Sequence, residues 1–351
     1  MLAARFNGPK DIEITDIPAP VLRAGAVAID IAWCGICGTD LHEYLEGPIF
    51  IPAKGHPHPL THEQEPVTMG HEFSGTVSAV GEGVTDITVG AHVVVEPYFV
   101  CGECAPCTEG RYNLCTKMGF IGLAGGGGGL SEKIVVERRW VHPVGDIPLD
   151  EAALIEPLSV GHHAFVRSGA KAGDVAFVGG AGPIGLLLSA VLKAEGLTVI
   201  VSELSEARKA KALSTGVADH VLDPSKEDVA ARVLELTGGL GADVCFECSS
   251  VNAVLDQLLV VVKPGGVVVN VSIWSERASI DMQALVLKEI DLRGTIAYVN
   301  DHPATIKLVQ DGKVHLAPFI TAKIPLDRLV RDGFDALIHH NDTAVKILVH
   351  P

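Results

Sequence analysis

Four cysteines stand at Cys101, Cys104, Cys107 and Cys115, with two, two and seven residues between them. Four thiolates from one short loop suit a tetrahedral Zn2+ whose positions are all filled by protein, the pattern of a structural site. The intervening residues are polar and broken by Gly and Pro, unlike core sequence. Disulfide pairing is the expected use of such cysteines in oxidising compartments. An iron–sulfur cluster would want a different last spacing followed by Cys-Pro, which this stretch lacks. The spacing predicts zinc.

A second set of candidate ligands is spread more widely. It comprises Cys34-Gly-Ile-Cys37-Gly-Thr39-Asp40-Leu-His42, then Gly70-His71-Glu72, then Ile155-Glu156-Pro157-Leu158-Ser159-Val160-Gly161. Thiolate, imidazole and carboxylate together form a mixed donor set suited to a catalytic zinc with one position open. Singly, each fragment is weak, because an isolated Cys is usually core and an isolated Glu usually surface. Cys34 and Cys37 with Cys245 and Cys248 would make an alternative four-thiolate site, but that choice leaves His71 and Glu156 unexplained. Cys245 ends an apolar run and reads as core. His56, His58 and His62 lie in a proline-studded stretch and read as loop histidines near a substrate entrance rather than as a metal cluster.

A third group suits a dinucleotide. Asp174-Val-Ala-Phe-Val-Gly-Gly180-Ala-Gly182-Pro183-Ile184-Gly185 reads as strand, G-x-G-x-x-G turn and helix start. Gly180 allows the tight turn, Gly182 lets backbone approach a pyrophosphate, and Gly185 lets helix pack on strand. The free N–H groups at the helix start attract phosphate. Glu203 follows Gly185 by eighteen residues, at the end of the next apolar run, where an acid bonds ribose hydroxyls and repels a 2′-phosphate. NAD is therefore expected over NADP. Arg208 either lies along the adenine or is a solvated helix-face charge.

These groups need elements to hold them. In the first 150 residues, short Val/Ile runs such as Ala26 to Ile31, Phe73 to Val80 and Ala91 to Val95 alternate with Gly and Pro, which predicts a β-rich barrel or sandwich. From Ile155, Ala/Leu helical stretches alternate with apolar strands at Val175 to Val178, Thr198 to Val201, Val217 to Leu222, Ala242 to Phe246 and Val267 to Val271. That alternation predicts a doubly wound parallel sheet. It stops after about Arg293, and a strand-like Ala344 to Val349 closes the chain. Val175 to Leu192 is eighteen residues without a charge, but its glycines and Pro183 divide it into strand, turn and helix rather than a membrane span. A net charge of −16 opposes nucleic acid and anionic membrane as partners. No charged and then apolar leader opens the sequence, so a cytoplasmic protein is expected.

Taken in order, these motifs resemble the zinc-dependent medium-chain dehydrogenase/reductase family along essentially the whole chain. Glu46-Gly-Pro-Ile-Phe50, His56-Pro-His-Pro-Leu60 and Thr68-Met-Gly-His-Glu-Phe-Ser-Gly75 are most similar to its butanediol and sorbitol dehydrogenase branch, on the butanediol side. The resemblance implies a GroES-like β-rich catalytic domain over 1–155 and 296–351 and a Rossmann NAD-binding domain over 156–295. It implies Cys37 and His71 as catalytic zinc ligands, with Glu156 ligating zinc or holding its water. Glu72 would bind zinc, exchange with Glu156, or stand behind the ligands. Cys101, Cys104, Cys107 and Cys115 match the family's structural zinc lobe, giving two zinc ions per chain.

The expected reaction is reversible NAD-linked oxidation of a secondary alcohol or vicinal diol, with 2,3-butanediol and acetoin as the leading pair. A polyol dehydrogenase is the alternative within enzymes, and a noncatalytic zinc-binding scaffold the alternative outside them. Zinc would acidify the substrate hydroxyl. Thr39, a ribose hydroxyl and His42 would pass the proton outward, His42 lying one turn from Thr39 if the segment is helical. A homodimer or homotetramer is implied by the family.

Overall fold

The computed structural model describes residues 1–339 and 344–351. The chain divides into two compact units. One comprises Met1–Glu156, His302–Gln310 and His315–Pro351, and the other Pro157–Asp301 with Asp311–Val314.

The first unit is built on a seven-stranded sheet. Its path runs Val141–Pro143, His92–Val95, Glu72–Val80, Ala26–Gly35, Lys346–His350 and Ile320–Pro325, with Lys133–Glu137 paired to Ala26–Gly35 off that path. Neighbours are antiparallel except Ile320–Pro325 beside Lys346–His350. The alternation that predicted short strands is visible as burial: Ala26, Val27, Ala28 and Ile29 are covered while Asp30 is exposed. The closing strand begins at Lys346 rather than Ala344. A separate two-stranded ladder, Tyr98–Phe99 with Gly119–Phe120, closes the neck of the cysteine loop.

The second unit carries six parallel strands in the order His220–Leu222, Thr198–Ser202, Val175–Gly179, Ala242–Glu247, Val262–Asn270 and Asp291–Gly294. In chain order this is 3-2-1-4-5-6, the arrangement of a doubly wound dinucleotide fold. Phe177, Ile200, Cys245 and Val268, one from each of four adjacent strands, pack on Leu255 and Leu258 of the helix Asn252–Val261. Cys245 is fully buried core.

Two strands differ from the sequence expectation. The run Val217 to Leu222 is strand only from His220, because the Asp219 carboxylate accepts the Val199 N–H at 2.7 Å and binds Lys193 at 2.8 Å, outside the ladder. The strand containing Val267 begins earlier, at Val262, and its register shifts across Pro264-Gly265-Gly266. Val175 to Leu192 is the strand Val175–Gly179 and part of the helix Pro183–Ala194; among the described residues no helix is long and apolar enough to cross a membrane.

Candidate metal and dinucleotide sites

Cys37 caps the N-terminus of the helix Gly38–Glu46, immediately after the strand Ala26–Gly35. Gly35 pairs with Glu72 across the antiparallel ladder, which brings the end of one strand beside the start of the other. Gly35 has to be glycine, since a Cβ there would lie 2.2 Å from Glu72 Oε2. One ligand atom each from Cys37, His71 and Glu72 falls within 4.8 Å of the others. Glu156 is buried in the first turn of the helix Ile155–Ser168 but is not a member of that group.

Asp40 connects two members of the cluster. One of its oxygens accepts the Cys37 N–H at 2.9 Å, and the other lies 3.4 Å from His71 Nδ1. Asp40 Oδ1 and His71 Nδ1 are both buried and make no shorter contact. Burial disfavours a charged His71, but Asp40 and Cys37 outweigh it and raise the imidazole well above its usual range. A metal ion at this place would take over the positive charge that these groups call for, so the donors fit zinc.

Lys346 was not legible as a site residue. Its buried ammonium contacts Glu72 Oε1 at 2.8 Å, Glu72 Oε2 at 2.7 Å and the Ile36 carbonyl at 3.2 Å. Burial lowers its proton affinity, while Glu72, Cys37 and Glu156 raise it further and leave Lys346 firmly charged. Asp40 was visible only as part of a motif, and its link to His71 needed the fold.

Thr39 and His42 lie on the same helix, three residues apart, Thr39 half-buried and His42 exposed. Beside them Glu43 is fully buried and accepts N–H groups from Ile49 at 2.8 Å, Phe50 at 2.5 Å and Ile51 at 3.2 Å. That carboxylate sets the course of the Glu46-Gly-Pro-Ile-Phe50 stretch.

The four loop cysteines form the other metal-competent group among the described residues, again within 4.8 Å. Backbone N–H groups point at their sulfurs: Cys101 to Cys115 at 3.3 Å, Cys104 to Cys101 at 3.4 Å, and Lys117 to Cys115 at 3.4 Å. The N–H groups of Thr116 and Cys107 pull the Cys104 thiol down to about 6. Donors aimed at sulfur favour the thiolate form that zinc requires. Cys34 is buried in its strand, its thiol hydrogen-bonded to the Gly35 carbonyl at 3.5 Å. His58 Nδ1 accepts the N–H groups of Leu60 and Thr61, and its Nε2 lies 3.3 Å from the Met118 carbonyl. It staples its loop to the cysteine lobe; His56 and His62 are exposed.

In the second unit Gly180 has φ +102°, and Gly182 caps the helix Pro183–Ala194 with Pro183 at its first position. A Cβ on Gly185 would lie 2.0 Å from the Gly180 carbonyl, whereas one on Gly182 would enter open space. The glycines thus separate into one for packing and one for approach by a ligand. Ile184 is half-buried in the first turn. Glu203 accepts the N–H groups of Ala181, Leu204 and Ser205, each at 2.8 Å, which places its carboxylate beside the fingerprint. The half-buried Arg208 lies in the first turn of the following helix, where its N–H meets the Ser205 hydroxyl at 3.4 Å. This cradle fits a dinucleotide.

Residues 23–146 match the alcohol dehydrogenase GroES-like domain, and residues 183–311 match the zinc-binding dehydrogenase domain. The chain is 65% identical to the (R,R)-butanediol dehydrogenase of Neisseria gonorrhoeae (strain ATCC 700825 / FA 1090), covering 100% of this chain and 99% of that protein. The chain belongs to the zinc-dependent medium-chain dehydrogenase/reductase family. Within that family it is 48% identical to the (R,R)-butanediol dehydrogenase of Bacillus subtilis (strain 168) over the full length of both. The crystal structure of 2R,3R-butanediol dehydrogenase from Bacillus subtilis superposes with a TM-score of 0.93 at 46% identity, covering 100% of this chain and 99% of that one. Sorbitol dehydrogenase of Bacillus subtilis (strain 168) is more distant, at 32% identity over 100% of this chain and 97% of that protein. Similar solved structures include a putative zinc-binding dehydrogenase from Sinorhizobium meliloti 1021 bound to NADP, at 29% identity and a TM-score of 0.87 over 100% of this chain and 99% of that one. Another is an alcohol dehydrogenase from E. coli CFT073 complexed with NADH, at 27% identity and a TM-score of 0.88 over 100% of this chain and 99% of that one.

Proposed function

We propose that this zinc dehydrogenase oxidises (R,R)-2,3-butanediol reversibly to acetoin with NAD. The observation that carries the reading is full-length identity of 65% to a butanediol dehydrogenase, in a chain whose Cys37, His71 and Glu72 converge. Bound zinc would acidify the substrate hydroxyl and bound NAD would accept the hydride. Cys37 and His71 are assigned to the catalytic ion, with Glu72 or Glu156 as the third protein ligand. Asp40 orients His71 through its Nδ1. The Thr39 hydroxyl takes the proton leaving the substrate, and the exposed His42 delivers it to solvent. Glu203 selects NAD by bonding ribose hydroxyls where a 2′-phosphate would be repelled. Cys101, Cys104, Cys107 and Cys115 hold a second, structural zinc with no position left for substrate.

A homo-oligomer is part of this reading. Its support is the exposed Met282, Val286 and Leu287 on the helix Met282–Lys288, and the exposed Leu292 on the edge strand Asp291–Gly294. Light scattering of wild type against Leu287→Glu would measure it.

The deciding assay is NAD reduction by the purified chain with the butanediol stereoisomers, sorbitol, xylitol and simple secondary alcohols. The expected outcome is the highest kcat/KM with (R,R)-2,3-butanediol. Preference for sorbitol or xylitol would replace this reading with a polyol dehydrogenase.

A further inference from the structure

Glu247 ends the strand Ala242–Glu247 at the carboxyl edge of the parallel sheet, where doubly wound folds bind their ligands. Its side chain is fully buried, and among the described residues it has no cationic partner within 4 Å. Instead it bonds two loops. One carboxylate oxygen accepts the Ser249 N–H at 2.8 Å and the Ser249 hydroxyl at 2.5 Å, and the other accepts the Ser272 hydroxyl. Its backbone carbonyl accepts the N–H groups of Val271 at 2.9 Å and Ser272 at 3.3 Å.

The first of these loops rests on the glycine fingerprint. Cys248 donates its N–H to the Gly179 carbonyl at 3.0 Å, and a Cβ on Gly180 would stand 3.2 Å from that of Ser249. Glu203 lies on the other side of the first strand, where the adenine half belongs. The loops joined by Glu247 follow the strands on the opposite side, so they border the other half of a dinucleotide. Both serine hydroxyls spend their proton on Glu247. The Ser249 oxygen also accepts the Val251 N–H at 3.3 Å, and the acceptor capacity that the two oxygens keep suits ribose O–H or carboxamide N–H donors.

Resting on the NAD reading above, we propose that Glu247 is a positioning residue for the nicotinamide half of the dinucleotide. It acts by tying the Cys248–Ser250 loop to the Val271–Ser272 loop. A buried carboxylate without a counter-charge is costly even when hydrogen-bonded, and an apolar side chain would serve a purely structural strand end better. The backbone already ties Val271 and Ser272 to the end of the Glu247 strand; what the carboxylate adds beyond those bonds is a side-chain link from Ser272 to Ser249.

The test is binding of NADH, followed by fluorescence, beside binding of ADP, which carries the adenine half alone. Glu247→Ala is expected to raise the Kd for NADH about tenfold, the loss of one strong anchoring interaction. ADP affinity should stay within about twofold. Ser272→Ala removes only the cross-loop bond and should weaken NADH by about threefold, which keeps the proposal testable if the first variant folds poorly. Glu247→Gln can accept from Ser249 and donate to Ser272, so it should restore NADH binding to within about threefold of wild type. The proposal is overturned if Ser272→Ala leaves NADH affinity unchanged. It is equally overturned if Glu247→Ala weakens NADH and ADP alike, or if Glu247→Gln loses as much as Glu247→Ala. Wild-type protein that failed to bind NADH, or preferred NADPH, would instead reject the NAD reading.

Discussion

Lys346 Nζ sits 2.7 and 2.8 Å from the two oxygens of Glu72, a buried ion pair that joins residues far apart in sequence. The lysine is thus the counter-charge to a carboxylate that stands within 4.8 Å of Cys37 and His71 donor atoms. It holds both oxygens of Glu72 at once, which gives that carboxylate a partner independent of metal.

Lys346→Met should cost roughly 3–5 kcal/mol of stability, because it strands the Glu72 charge in the interior. The double variant Glu72→Gln/Lys346→Met should lose much less than the two single losses added. Urea unfolding of the three variants measures this, and a loss below about 1 kcal/mol for Lys346→Met would show that the pair is not held as described.

Cys37→Ser and Cys104→Ser should each remove one zinc per chain, with different consequences. Cys37→Ser should abolish turnover and leave the melting temperature nearly intact, while Cys104→Ser should lower the melting temperature and spare the remaining active fraction. Metal analysis together with thermal unfolding separates them; an active, two-zinc Cys37→Ser chain contradicts the assignment.

His42→Ala should slow turnover by roughly 10²–10⁴-fold while zinc content and NADH affinity hold. Its pH–rate profile should lose the limb that the relay supplies. An unchanged profile would exclude His42 from proton transfer.

Gly182→Ala should leave stability unaltered, since φ is −66° and the new Cβ meets nothing within 4 Å. The methyl instead fills space that a pyrophosphate would occupy, so NADH affinity should fall about tenfold. Gly185→Ala should do the reverse and lower the melting temperature, its Cβ being 2.0 Å from the Gly180 carbonyl. Equal effects of the two changes on melting would refute this division of labour.

Asp301 gives a pH dependence. Burial would raise its carboxyl, but His162 at 2.5 Å, His163 at 3.0 Å and the Val299 N–H at 2.7 Å outweigh it and hold it down to about 2. A carboxyl depressed on folding contributes stability above its unfolded value near 3.8 and loses it as pH falls through its folded value. Asp301→Asn should therefore be about 2 kcal/mol less stable than wild type at neutral pH, the gap closing between about pH 4 and 2. A gap that persisted unchanged at pH 2 would assign the effect to packing instead.

The legible parts of the site were those encoded in short stretches. Four cysteines within one loop and the glycine fingerprint advertise chemistry through residue type and local spacing, whereas Cys37 and His71, weak singly, become legible through the order of motifs that resembles the family. Lys346 does not, because 274 residues separate it from Glu72 and a lone lysine in a strand pattern reads as an outward-facing residue. Glu247 was missed for a related reason: its meaning lies in two loops that converge only when parallel strands stack. The strand at Val217 was overextended because apolar run length cannot show that Asp219 diverts the neighbouring N–H. His58 reads in the sequence as a loop histidine near a substrate entrance, and nothing local shows the Met118 carbonyl, sixty residues on, that lies beside it.

The discontinuous first unit has a consequence for the order in which the chain takes shape during synthesis. The dinucleotide unit is almost one continuous stretch and is complete, apart from Asp311–Val314, once Asp301 has been made. It can therefore fold early, as contiguous domains do on the ribosome. The metal-bearing unit must wait, because its sheet pairs Cys34 and Gly35 with Leu348 and Val349. Until that late pairing, Glu72 has no Lys346 and the Cys34–Gly35 end of the strand Ala26–Gly35 lacks its partner, the Ala26–Asp30 part being covered by Lys133–Glu137. Nascent or truncated protein should thus bind the zinc of its cysteine loop and then nucleotide before the surroundings of Glu72 are complete.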